Sequence, residues 1–149
     1  MTKLVLIRTF FQKKDIAVIG ISPKPQKFGN SVVKELSVKG FTLFPVHQSL
    51  KEIHSIPVFP SLQEVPEQVK RLFISAKPDK VLETLKNIAP ERFEMVWIQQ
   101  GGMNDELRKY LDQNRFNYIS RECILMHAPP VNSIHKFHRF LKYLFKEKP

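Results

Sequence analysis

Between residues 16 and 119 the chain carries five short apolar runs separated by turns and by stretches of helical periodicity, and that alternation constrains the fold more than anything else in it. Ile16-Ala17-Val18-Ile19-Gly20 is β-branched and uninterrupted by polar residues, as a strand buried on both faces must be. After its loop, Val32, Val33 and Leu36 recur at helical spacing from a start near Gly29-Asn30-Ser31, and Gly40 supplies the stop. Phe41 to Val46 reads as a second strand, Pro57 to Pro60 as a short extended piece and Arg71 to Ser75 as a third strand. Pro78 and Asp79 open a helix whose Val81, Leu82, Leu85, Ile88 and Ala89 form one apolar stripe up to Pro90. Met95 to Ile98 makes a fourth strand, Asn104-Asp105-Glu106 a helix N-terminus with Leu107, Tyr110 and Leu111 inward, and Phe116 to Ile119 a fifth strand. Leu4 to Gln12 fits either a strand or one helical face, and a leading helix is preferred. Parallel neighbours need a crossover, so strands alternating with helices predict an α/β, three-layer, Rossmann-like fold: a five-stranded parallel sheet with helices on both faces.

At 149 residues there is room for one domain, with its core at about 14–125. After Pro129-Pro130, a basic amphipathic helix at about 132–147 is predicted, with Ile134, Phe137, His138, Leu141, Leu144 and Phe145 on one side and Lys136, Arg139, Lys142 and Lys146 on the other. Phe140 and Tyr143 lie off the centre of both stripes and are candidates to meet a second subunit in a homo-oligomer. No apolar run approaches the about 20 residues of a membrane span, and MTKLVLIRTF lacks the features of a secretory leader, so a cytoplasmic chain without membrane contact is expected. The surplus of 24 basic over 14 acidic side chains sits in the two ends, while residues 41–115 are balanced. Such ends suit an anion-binding surface or simply a solvated one.

In an open α/β sheet, ligands bind outside the carboxyl ends of the strands where the strand order reverses, which directs attention to the loop after the first strand. Gly20 through Ser31 offers a strand-end glycine, hydroxyls, Lys24, Lys27 and a helix N-terminus, all suited to phosphate. Lys24, nearest the middle of the loop, is the leading cation, and Lys77 at another strand's end is a second anion contact. The loop departs from GxGxxG, because Ser22 stands where the second glycine belongs. Nor does it contain the Gly-Lys-Ser/Thr of a Walker loop.

These residues resemble a family of small stand-alone CoA-binding proteins related to the CoA-binding domain of the succinyl-CoA synthetase α subunit. Ile16 through Pro25 is similar to its first strand and phosphate loop, and Phe44-Pro45-Val46-His47 to its Pro-Val-Asn-Pro segment. Phe59 through Pro66 resembles its Pro-Ser-Leu signature, Trp97-Ile98-Gln99-Gln100-Gly101 its Trp-x-Gln-x-Gly turn, and Arg121-Glu122-Cys123-Ile124 its Asp-Arg-Cys-Ile end. The likeness implies coenzyme A or an acyl-CoA as ligand, bound by Gly20, Ile21, Ser22, Pro23 and Lys24 at the diphosphate. It further implies Val46, His47, Ala76, Lys77 and Pro78 at the adenosine, and Gln99, Gln100 and Gly101 at the pantetheine arm. It departs at His47-Gln48, which replace Asn-Pro, at Glu122, which stands where the family often has aspartate, and at His54-Ser55-Ile56, where a glycine is missing.

No catalytic set and no metal set converge on that loop, which favours a non-catalytic binding or regulatory module. An NAD(P)-dependent enzyme on the same fold is the alternative, disfavoured by Ser22 and by His47 standing where an acid is needed. Nucleic-acid binding is further off, since the basic balance comes without a recognised module. Cys123 and Trp97 are read as core residues, and the three-residue spacing of His135 and His138 as packing without a third metal ligand.

Overall fold

The computed structural model describes residues 2–129, so the predicted helix at about 132–147, with His135, His138, Phe140 and Tyr143, lies outside the described residues. The elements are α1 (Lys3–Phe10), β1 (Asp15–Ile19), α2 (Phe28–Val38), β2 (Thr42–Val46), β3 (Glu52–Ile53), β4 (Ile56–Pro57), β5 (Arg71–Ile74), α3 (Pro78–Lys86), β6 (Met95–Gln99), α4 (Asp105–Gln113) and β7 (Tyr118–Glu122). Five strands form a parallel sheet in the order β2-β1-β5-β6-β7. Alternate side chains along each strand feed two cores. Ile16, Val18, Phe73 and Trp97 join α1 and α2 on one face, while Ala17, Leu72, Ile74, Val96 and Ile98 join α3 and α4 on the other. This is the three-layer α/β arrangement that the alternating pattern predicts.

The differences from the sequence reading fall mostly at element ends, and two follow from a backbone hydrogen bond that closes a helix. Phe41 stays out of β2 because its N–H closes α2 onto the Leu36 carbonyl, past the left-handed Gly40 (φ 94°). Phe116 likewise bonds Leu111 at the end of α4, so the fifth strand begins at Tyr118 and runs to Glu122 rather than over Phe116 to Ile119. The helix read through Ala89 ends at Lys86, though Ile88 still packs on the core. The extended piece Pro57 to Pro60 is divided: Pro57 belongs to a hairpin with Glu52, and Phe59 bridges to Val46. Between β6 and β7, Ser120 and Arg121 stand opposite Ile98 alone, a bulge whose Arg121 takes φ 62°.

Arg115 turns the chain out of α4 at φ 58° and is exposed, a conformation that glycine adopts freely. Arg115→Gly is therefore expected to stabilise the fold by about 0.5–1 kcal/mol, the left-handed strain removed less the extra freedom of the unfolded glycine. A denaturant midpoint that fell would contradict this.

At the amino ends of the strands, the buried Arg71 holds α1 in place. Its Nε donates to the Phe10 carbonyl at 2.9 Å and Nη2 to that of Thr9 at 3.0 Å, while Nη1 pairs with Glu94 at 2.9 Å. Lys13 also bonds Glu94, and that bond foremost, with Arg71 adding to it against the cost of burial, holds the Glu94 carboxyl below the usual glutamate range. A depressed carboxylate adds stability that is complete above its unfolded value and disappears as pH falls through the folded one. The stability difference between wild type and Glu94→Gln should accordingly be constant near neutrality and close only below the usual glutamate range. Because Glu94 is half-exposed the difference is small and shrinks with salt, and parallel urea melts from pH 7 to 3 would measure it.

Candidate functional site

The strand order reverses between β1 and β5, whose following helices lie on opposite faces, and a crevice opens there at the carboxyl ends of β1, β2 and β5. It has a volume of about 840 Å³. Its walls are Ile19–Ile21 with Lys27, Val46–Ser49, Pro60–Gln63, Ser75–Lys77, the outer side of α3 from Asp79 to Thr84, and Asn87-Ile88 just beyond it.

The loop after β1 is built by close contact. Gly20 sits at φ 117° against the carbonyl oxygen of Ser75, and a β-carbon there would collide with it. One on Gly29 would run into the carbonyl of Gly20, so the first turn of α2 rests directly on the end of β1. Asn30, buried in that turn, then clamps the loop. Its Oδ1 accepts the Ser22 N–H at 2.9 Å, and its Nδ2 donates to the carbonyls of Ser22 at 2.8 Å and Lys24 at 3.0 Å. The Ser22 hydroxyl accepts the Lys24 N–H at 3.1 Å, which tightens the same turn.

Helix starts divide by position. α1 and α4, away from the crevice, are capped by the side chains of Thr2 and Asn104. α2 and α3 border it and begin instead with Lys27 and Lys77, neither of which makes a side-chain cap. A cation at a helix N-terminus opposes the macrodipole, so both positions give up stability in a way that an anion would restore. In α3 Pro78 has no N–H and Asp79 takes the Lys80 N–H at 3.0 Å; α2 has no acidic residue in its first turn and is the more open anion seat.

A profile of the CoA binding domain matches residues 14–129. The chain belongs to the CoA binding domain family. It is 28% identical over 117 residues to YneT of Bacillus subtilis, an alignment that covers 76% of this chain and 84% of that protein. Against subunit alpha of the ADP-forming acetate–CoA ligase II of Pyrococcus furiosus it is 34% identical over 97 residues, covering 64% of this chain and 21% of the ligase subunit. It therefore spans about a fifth of that relative. In structure it is similar to a conserved hypothetical protein of Pyrococcus furiosus, with a TM-score of 0.69 and 31% identity over 74% of this chain and 96% of the other.

Within this CoA-binding domain, Gly20, Ile21, Val46, His47, Ala76 and Lys77 all come together on the crevice wall. Ser22, Pro23 and Lys24 form the clamped loop beside it, and Pro78 is the first residue of α3. The lysine of the loop that lines the crevice is Lys27 rather than Lys24. Gln99, Gln100 and Gly101 follow at the end of β6, outside the crevice walls. The buried Gln99 accepts the Ile124 N–H through Oε1 at 3.1 Å, tying β6 to the turn after β7, and Gly102 packs against the Ala76 carbonyl. Asn30 and the outer side of α3 are contributions the sequence reading missed; an asparagine inside a helix start, one residue after a glycine, was the available signal for the first. Cys123 is buried in the core. Among the described residues no helix is long and apolar enough to cross a membrane, and no group of three His, Cys, Asp or Glu is placed to hold a metal.

Proposed function

We propose that this domain binds coenzyme A or an acyl-CoA in the crevice, as a cytoplasmic, non-catalytic binding or regulatory module. The diphosphate lies over Ser22–Lys24 and the N-terminus of α2, the adenosine between Val46-His47 and Ala76-Lys77-Pro78, and the pantetheine arm runs toward Gln99-Gln100-Gly101. One observation carries the reading: the uncapped start of α2, with Lys27 at its cap position, borders the crevice. A volume of about 840 Å³ suits the nucleotide end of such a ligand, and a relative named an acetate–CoA ligase supports the ligand class. The acidic side chains on the wall serve the chain's own architecture, Asp79 accepting a helix N–H and Glu83 facing Lys80.

Thermal scans with CoA, acetyl-CoA and NAD test this. A ligand at about 100 times its Kd stabilises by about 2.7 kcal/mol, which raises the Tm by several degrees for a domain of this size. CoA or acetyl-CoA should give that shift and NAD much less; equal shifts, or none with either thioester-bearing or free CoA, would overturn the reading. Lys27→Ala should cost about 10-fold in CoA affinity with an unchanged melt in the absence of ligand, and Lys24→Ala less.

A further inference from the structure

We infer that His47 reads the phosphate on the ribose of the bound nucleotide and thereby sets a preference for coenzyme A over its 3′-dephospho form. This rests on the CoA reading above. In an open α/β sheet the end of the second strand meets the ribose, and the residue there decides what the ribose carries: an acid takes a free hydroxyl, whereas a donor or cation takes a phosphate. Val46 through Lys51 contain no acid, and the half-buried His47 lines the crevice.

The imidazole is fixed before any ligand arrives. The N–H groups of Ser49 and Leu50 both donate to Nδ1, each at 3.1 Å, and the Ser49 hydroxyl lies 3.3 Å from the same nitrogen. The backbone is held as well, with the His47 N–H donating to the Phe59 carbonyl at 3.0 Å. A ring nitrogen that accepts two N–H groups carries no hydrogen, so the neutral ring bears its hydrogen on Nε2. Among the described residues nothing bonds Nε2. The crevice thus holds an oriented donor, on a wall shared with Lys27 and Lys77, at the place where a ribose substituent belongs. A phosphate oxygen satisfies that donor with a charge-assisted bond, stronger than one to a hydroxyl.

Titration calorimetry of the full chain with CoA and with 3′-dephospho-CoA tests the assignment. Wild type should bind CoA at least about 10-fold more tightly, the ratio expected of one hydrogen bond to a charged group. The informative variant is His47→Asn, whose Oδ1 accepts the same two backbone N–H groups and keeps the turn while Nε2–H is lost. It should melt like wild type and lose most of its preference for CoA, its affinity for CoA falling about 10-fold further than its affinity for dephospho-CoA. Retention of the full preference by His47→Asn, or equal affinity of wild type for both nucleotides, overturns the inference and leaves the CoA reading standing. Binding of neither nucleotide to wild type overturns the CoA reading and this inference with it.

Discussion

Gly20→Ala is expected to lower folding stability by about 2–5 kcal/mol. Two costs add. A residue with a β-carbon at φ 117° pays for a backbone that L side chains avoid, about 1–2 kcal/mol, and the methyl must also displace the Ser75 carbonyl at the end of β5, an overpacking cost of about 1–3 kcal/mol. Gly40→Ala separates the two. Its φ of 94° carries the same kind of strain, but nothing lies within 4 Å of its missing β-carbon, so it should lose only the first amount. Denaturant midpoints of the pair measure the difference, and equal losses would show that the contact with Ser75 contributes nothing.

Phe10→Ala is the second large effect, a loss of about 3–5 kcal/mol. Phe10 is fully buried and meets Trp97 edge-on at 5.2 Å between ring centroids, with Phe11 at 5.4 Å. Trp97 is the only tryptophan of the chain, so its emission should shift with the melt as α1 loosens. Leu4→Ala on the exposed side of the same helix should change stability by less than about 0.5 kcal/mol. A Phe10→Ala midpoint as close to wild type would mean that α1 contributes no core.

Local pattern was enough for the strands and for the crevice. Apolar runs such as Arg71–Ile74 and Met95–Gln99 can be buried on both sides only in a covered parallel sheet, and parallel order leaves a crevice where the winding reverses. What escaped depends on contacts through space. Gly29 reads as part of a helix start, and only its position against the Gly20 carbonyl shows why a side chain is excluded. Asn30 reads as part of the same helix start, yet its side-chain amide is bonded to a loop six to eight residues back. Lys24 sits at the middle of the loop in sequence, whereas the lysine of that loop on the crevice wall is Lys27, a placement that spacing alone does not show. Arg71 opens an apolar strand and would pass for its solvated end; it is buried because the carbonyl end of α1 supplies acceptors 61 and 62 residues away.

α1 has a further consequence for how the protein is made. The helix precedes the family match at residue 14, yet its seat is assembled from Arg71, Trp97 and β7, and Lys3 reaches Glu122. A ribosome delivers α1 well before the strands that seat it. Until β6 and β7 have left the exit tunnel, Phe10 lacks Trp97 and Lys3 lacks Glu122, so α1 stays incompletely seated long after it has been synthesised. Closure of the sheet by β6 and β7, rather than emergence of each successive βα unit, is then the step that shields α1 from proteases and chaperones.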